Sequence, residues 1–310
     1  MDKRDVLKTI LFLAGFAAGW AALFLLVTVA LGRMPSVVIA AGGLLFATIL
    51  MTAFYARDAE RTFRKVIREE PGLFAALAVG LWLAFACQVV NRYSAAPSGA
   101  DTIFLLSSAP VFAAAITAAR PGLKERLTWG SVAGALTALA GGMMIVANWE
   151  RPSSFAPFAI FRLEELFLLA SAAGLALFAV AGRKLTRKYS PAALLTAAFW
   201  VITPPTLIYG MLAGGGLYSL ILKFAAGWLL LALIGVAALA VPLICLLEAV
   251  KKVPVNRALT AVAVMPALIT VLIGMEHGFG FAYLPVPFAW APILAGITIV
   301  IMGVAAVWTT

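Results

Sequence analysis

Two acidic side chains, Asp101 and Glu248, lie within or beside apolar segments and are the first candidates for chemistry in this chain. A carboxylate inside a membrane segment is costly to keep there, so each is a candidate for gating or coupling. Each also has a structural explanation. Asp101 can cap the N-terminus of its helix, and Glu248 is three and four residues from Lys251 and Lys252, a spacing that allows an ion pair. Neither lies at the middle of its segment, so the sequence identifies no proton carrier.

Uncharged polar side chains form two further candidate sets. Ser107 and Ser108 precede Pro110 by about one helical turn. Their hydroxyl groups can either donate to carbonyls of their own helix or face a solute. Gln88 and Asn91 are three residues apart and therefore share one helix face. Amides of this kind join neighbouring helices or bind solute at an outer gate.

Prolines and tryptophans near the middle of apolar segments are the remaining candidates for lining a cavity. Pro110 and Pro266 each remove one helical hydrogen bond, which leaves a carbonyl for a cavity or for a packing kink. Trp20 and Trp82 lie near the centres of their segments. Their rings either fill space between helices or form an aromatic wall for a bulky organic solute.

Enzymatic chemistry has little support in the sequence. The chain has one histidine, His277, and two cysteines, Cys87 and Cys245, both within apolar segments. It contains no phosphate-binding loop, no histidine–glutamate metal spacing and no nucleophile elbow. We therefore predict no catalytic residue, no metal site and no cofactor.

Composition identifies the elements that must position these residues. The chain is 64% hydrophobic and 12% charged, with a mean hydropathy of +1.06. Apolar runs of about twenty residues recur along it, each long enough to cross a bilayer. The sequence predicts an all-α integral membrane protein with ten transmembrane helices: Leu7–Leu31, Pro35–Tyr55, Pro71–Arg92, Gly99–Ala119, Thr128–Ala147, Glu165–Ala181, Pro191–Gly210, Gly227–Val250, Asn256–Met275 and Phe288–Trp308. The sixth is short, and the pair Pro204–Pro205 is expected to break the seventh.

The positive charge of the chain indicates its orientation. With these spans, 18 lysines and arginines lie on one side of the membrane and 5 on the other. Basic loops stay in the cytoplasm, so both termini are predicted to be cytoplasmic, and nucleic-acid binding is excluded as the reason for the net charge of +10. The charge-rich link Ala56–Glu70 is predicted to be a short interfacial helix on anionic headgroups.

Sparse but regular features relate the two halves of the chain. A helix with a central proline followed by a helix with two glycines seven residues apart occurs twice, at Pro110, Gly134 and Gly141, and again at Pro266, Gly296 and Gly303. The period is about 155 residues. A unit of five spans is odd, so its second copy must be inverted in the membrane, as in many secondary transporters. We predict two inverted five-helix repeats, 1–148 and 164–310, joined by a periplasmic linker, 149–163.

The segment 106–146, LSSAPVFAAAITAARPGLKERLTWGSVAGALTALAGGMMIV, resembles the half-repeat of the EamA-type drug/metabolite transporter superfamily. The resemblance extends over essentially the whole chain, because Pro266, Gly274, Glu276 and the second glycine pair repeat the pattern in the second half. It implies a ten-helix secondary carrier, commonly an exporter of small metabolites such as amino acids. The chain departs from the pattern in its second span, which has Gly42 and Gly43 where members often have an arginine, and in the long link 277–284.

Together these features favour an exporter of small amphipathic organic metabolites that works by alternating access in a bacterial-type inner membrane. A homodimer is one option for its assembly. The alternative is an integral membrane enzyme or lipid-handling protein with an interfacial site. The basic loops contain no cluster of His, Asp, Ser or Cys, which counts against that alternative.

Overall fold

A computed structural model describes residues 3–87, 89, 105–119, 128–147, 163–278 and 290–309. Every regular element in these ranges is helical. The helices are α1 (Lys3–Leu31), α2 (Ser36–Glu69), α3 (Pro71–Cys87), α4 (Ala109–Ala118), α5 (Trp129–Val146), α6 (Leu163–Leu185), α7 (Pro191–Ala213), α8 (Leu217–Lys252), α9a (Val255–Ala263), α9b (Met265–Gly278) and α10 (Trp290–Thr309).

Membrane-spanning character is common to most of these helices. Within the described ranges, eight helical stretches are long and apolar enough to cross a bilayer, with α9a and the first part of α9b counted as one stretch. The described parts of α3 and α4 are shorter apolar helices. The chain is therefore a multi-pass helical membrane protein.

Helix α2 corrects one sequence prediction. It continues without a break from Ser36 to Glu69, so the separate interfacial helix expected at Ala56–Glu70 does not exist. No proline or glycine interrupts this stretch, and Arg64 and Glu60 form an ion pair one turn apart that favours the helix. Its Val66 is fully buried, and the Phe63 ring packs 5.8 Å from the Phe74 ring in α3. One face of the extension therefore packs on protein.

Other helix bounds also differ from the sequence prediction. Helix α6 is a full-length helix of 23 residues, not a short one. Helix α7 continues to Ala213, three residues beyond the predicted end, and runs through Pro204 and Pro205, which cannot donate to its hydrogen-bond ladder. Helix α2 packs along α7, and neighbouring helices of this kind allow a membrane helix to keep its path after losing single hydrogen bonds. Helix α8 begins ten residues earlier than predicted, at Leu217.

Helices α3 and α8 each contain a π-helical segment, Leu83–Cys87 and Ile234–Ala240. In α3 the widened turn meets α6, where the Ser171 hydroxyl donates to the Ala84 carbonyl at 2.6 Å. Gly80 and Gly174 allow this approach, because a Cβ on Gly80 would lie 2.7 Å from the Gly174 carbonyl. Such π-bulges are frequent at functional positions in helices.

The two glycine pairs found in the sequence lie against each other. Helices α5 and α10 pack along their lengths. A Cβ on Gly134 would lie 2.7 Å from the Gly303 carbonyl, and a Cβ on Gly141 would lie 2.7 Å from the Gly296 carbonyl. The backbones are therefore too close for any side chain, as in other membrane interfaces built from small residues. We call this contact the glycine seam.

Most of the remaining packing also joins the first half of the chain to the second. Helix α1 packs on α8, α3 on α6, α2 on α7, and α4 on α9a. Thr48 and Thr203, which are 155 residues apart, join their hydroxyl groups across the α2–α7 contact at 2.7 Å. Thr48 also donates to Leu44, so Thr203 is the donor in this pair.

Ion pairs join helices at one end of the bundle. We call this the basic end, because it carries Arg183, Lys184, Lys188, Lys251 and Lys252. Lys252 at the end of α8 pairs with Asp5 at the start of α1 at 3.2 Å. Lys188, after α6, pairs with Glu70, between α2 and α3, at 2.8 Å. The hydrogen bond and the charge of Glu70 raise the pKa of Lys188, so this side chain stays protonated throughout the physiological pH range.

Candidate solute site at two helix breaks

The central feature of the candidate site is a pair of interrupted helices. Helix α4 begins at Ala109, directly after a turn at Ser107–Ser108, and α9 is divided at Val264. Pro110 and Pro266 are the second residues of the helices that follow the two breaks. Proline has no N–H, so neither can donate to the carbonyl four residues earlier. Since α4 and α9a pack together, both breaks belong to one region of the bundle.

Trp20 is a fully buried side chain of α1, a helix that packs on α8 and also contacts α9a and α9b. Its ring lies 5.7 Å from that of Phe16, tilted by 40°. Its indole N–H has no hydrogen-bond partner among the described residues. A buried donor without a partner costs about 1–3 kcal/mol. Such a cost makes Trp20 a candidate to donate to a group that arrives with solute.

The two serines beside the α4 break are both shielded from solvent. The Ser108 hydroxyl donates to the Leu105 carbonyl at 2.5 Å, which is the structural one of its two predicted roles. Ser107 is buried, as is Pro110. The Ser108 hydroxyl therefore helps to hold the interrupted backbone.

Trp82 lies elsewhere, in a lateral cavity of about 310 Å³ bounded by α2, α3, α6 and α7. Its indole N–H donates to the Thr206 hydroxyl at 3.1 Å, and Thr206 in turn donates to the Ile202 carbonyl at 2.7 Å. The cavity adjoins the π segment of α3, to which Ala86 belongs. It also adjoins the proline pair of α7, to which Pro205 belongs. The structure thus separates Trp20 from Trp82.

Trp200, the third tryptophan near the centre of a span, has a structural partner. Its indole N–H donates to the Thr52 hydroxyl of α2 at 2.8 Å, and its ring lies 6.4 Å from Phe63, edge to face. Sequence reasoning missed Thr206 and Thr52, which accept from the indoles of Trp82 and Trp200. It also missed the pair Thr48–Thr203, which joins α2 to α7. One signal was present, because the spacing of Thr48 and Thr203 equals the repeat period.

The remaining predicted residues divide into described and undescribed positions. Glu248 is half-buried near the basic end of α8. The ion pair that its spacing allowed is replaced by the contact of Lys252 with Asp5, and no ion pair joins Glu248 to a described residue. Gln88, Asn91 and Asp101 lie outside the described residues. Within the described ranges, no group of three or more His, Cys, Asp or Glu side chains could hold a metal ion.

Comparison with known proteins shows a shared fold and a family similarity in the first half of the chain. A solved structure whose description reads only "Crystal structure of protein" has a TM-score of 0.69 to this chain. The sequence identity is 17%, and the match covers 96% of both chains. At this identity the likeness shows a shared fold. No curated protein sequence matches the chain. The model of the EamA-like transporter family matches residues 7–147. This segment, a little under half of the chain, is therefore similar to the EamA-like transporter family.

Proposed function

We propose that this protein is a secondary transporter that exports small amphipathic organic metabolites, such as amino acids or related compounds, by alternating access. The solute would bind where α4 and α9 are interrupted, in contact with Trp20. The observation that carries the proposal is the pair of helix breaks. The two broken helices pack on each other, and a proline follows each break. Discontinuous helices at the junction of two halves are the usual binding element of secondary transporters.

The pattern of helix contacts supports two inverted repeats, 1–148 and 164–310. If α1–α5 correspond to α6–α10, exchanging the halves turns the α3–α6 contact into the α8–α1 contact. The same exchange leaves three contacts unchanged, α2–α7, α4–α9 and α5–α10, because each of them joins a helix to its own equivalent. All five contacts are present. The π segments follow the same rule, because they occur in α3 and α8, which are equivalent helices.

Irregular helices supply the means of motion in this proposal. Helices interrupted by prolines or π segments have fewer internal hydrogen bonds to break when they bend. The Asp5–Lys252 and Glu70–Lys188 pairs each join the first half of the chain to the second at the basic end. With both termini in the cytoplasm of a bacterial-type cell, these pairs would close the inner side, and the link 149–163 would be periplasmic.

Reconstitution tests the function directly. We expect purified protein in proteoliposomes to catalyse counterflow of at least one labelled solute from a panel of amino acids and related amphipathic metabolites. The variants Pro110→Ala and Pro266→Ala restore an N–H to the broken helices and should lower the initial rate about tenfold or more. Pro191→Ala is the matched control, because Pro191 is the first residue of α7, where no helical N–H partner is lost.

Two outcomes would count against the proposal. Folded protein that gives no counterflow with any member of the panel would remove transport of this class. Equal rates for the wild-type protein and both proline variants would remove the helix breaks as its site, even if transport were present.

Trp82 provides a separate prediction for the lateral cavity, which we propose as a second aromatic wall on the solute path. Trp82→Ala should lower the transport rate while the protein still folds, because the aromatic face is lost. Trp82→Phe keeps a ring but loses the bond to Thr206, so it should cost about 1 kcal/mol of stability and leave transport near the wild-type rate. Normal transport by Trp82→Ala would exclude the cavity from the path.

A further inference from the structure

We propose that a second cavity, between the end of α1 and the first part of α8, binds one anionic phospholipid. The cavity has a volume of about 490 Å³ and opens at the end of the bundle opposite to the basic end. The lipid phosphate would lie against Arg33 and Lys223, and an acyl chain would follow the apolar wall formed by Val29, Trp228 and Leu229. This site is distinct from the breaks in α4 and α9.

The cavity lies at a kink in α8. Gly227 has non-helical backbone angles, φ −120° and ψ 15°, within an otherwise continuous helix. The Met34 side chain packs on this glycine, because a Cβ here would lie 2.2 Å from the Met34 methyl group. Both residues line the cavity. The space is therefore bounded by two turns of backbone rather than by flexible side chains alone.

The charges at the cavity are unbalanced. Arg33 is exposed and forms no ion pair with any described residue, and no acidic residue is among those that line the cavity. The Lys223 ammonium donates to the Gly214 carbonyl at 3.0 Å, which holds it in place and leaves its other N–H donors for a ligand. Gly215 and Gly216, with φ of 91° and 93°, form the turn that presents this carbonyl. Two cations without an acid match the charge of a phosphate group.

The wall beside these cations is apolar and faces the bilayer. Trp228 and Leu229 are 57% and 59% exposed on a helix whose composition suits a membrane span. A small hydrophilic anion would leave this wall uncovered. A phospholipid satisfies both parts, since its chain remains in hydrocarbon while its headgroup meets the cations, as in other basic pockets between membrane helices. A negative headgroup is favoured over a zwitterionic one, because the latter adds a cation beside Arg33 and Lys223.

Native mass spectrometry of the full-length protein in detergent tests this inference. We expect one molecule of dioleoyl phosphatidylglycerol to remain bound under conditions that remove dioleoyl phosphatidylcholine. The double variant Arg33→Gln/Lys223→Gln should weaken phosphatidylglycerol binding about tenfold or more, because two charge-assisted contacts are lost. Lys251→Gln is the matched control, since Lys251 is an exposed cation at the other end of the same helix.

Three results would overturn the inference. The first is equal retention of the two lipids by the wild-type protein. The second is unchanged phosphatidylglycerol binding in the double variant, with thermal unfolding used to verify that the variant is folded. The third is displacement of phosphatidylglycerol by millimolar inorganic phosphate, which would assign the cations to a soluble anion instead of a lipid.

Discussion

Trp20→Phe is expected to reduce transport about 10- to 100-fold while changing the free energy of unfolding by about 1 kcal/mol or less. The indole N–H is buried and has no partner among the described residues, so its removal breaks no described hydrogen bond. If this N–H donates to bound solute, transport loses a hydrogen bond of about 1–3 kcal/mol, which corresponds to that change in rate. Counterflow rates and thermal unfolding of the same preparations measure both effects.

Trp200→Phe is the matched control for this prediction. Its N–H donates to Thr52, so the variant should lose about 1 kcal/mol of stability and keep its transport rate. The two tryptophan variants therefore have opposite expected profiles. Wild-type transport by Trp20→Phe would show that the buried N–H does not contact the solute, and Trp20 would then be only a packing residue.

The second large effect is expected at the glycine seam. In Gly141→Ala the new Cβ would lie 2.7 Å from both the Gly296 carbonyl oxygen and the Val300 backbone nitrogen. These are backbone atoms, so the α5 and α10 helices must separate, at a cost of about 1–3 kcal/mol. Thermal unfolding in detergent should show a lower melting temperature for Gly141→Ala than for the wild-type protein.

Gly72→Ala is the control for the seam. A Cβ on Gly72 would meet nothing within 4 Å, and alanine has the higher helix propensity, so this variant should be as stable as the wild-type protein or more stable. A Gly141→Ala protein that unfolds at the wild-type temperature would mean that α5 and α10 are not in backbone contact.

The helical architecture follows from the sequence because apolar length alone specifies a membrane helix. Runs near twenty residues indicate α1, α5 and α10 with little ambiguity. The repeated glycine pairs were predicted only as marks of the repeat, and the structure adds that they form the close contact between α5 and α10. These features are local in sequence and need no knowledge of neighbouring helices.

The features that sequence reasoning missed all depend on neighbours. The charge near Arg57 and Arg61 led to the prediction of a separate interfacial helix, although the α2 backbone continues there and packs its other face on protein. Pro204 and Pro205 were expected to break the hydrogen-bond ladder of their helix. That α7 keeps its path through them depends on α2, which packs along α7 and is joined to it beside that pair by the Thr48–Thr203 bond. The π segments of α3 and α8 have no sequence signature, because they arise where another helix approaches.

The candidate site was predicted only in part for the same reason. The mid-span prolines indicated interrupted helices, and Pro110 and Pro266 do follow the two breaks. Trp20 and Trp82 were equivalent by depth in the sequence. Only the packing distinguishes them, since the first is fully buried with no hydrogen-bond partner in the described part of the chain and the second is bonded to Thr206 beside a lateral cavity.

Spin-label distances at both ends of one helix pair test alternating access most directly. Labels at Lys8 and Arg187 report on α1 and α6 at the basic end, and labels at Val29 and Leu166 report on the same helices at the opposite end. Double electron–electron resonance in lipid nanodiscs, with and without a transported solute, should show one distance lengthening as the other shortens. Two distances that stay fixed, or that rise and fall together, would contradict the account.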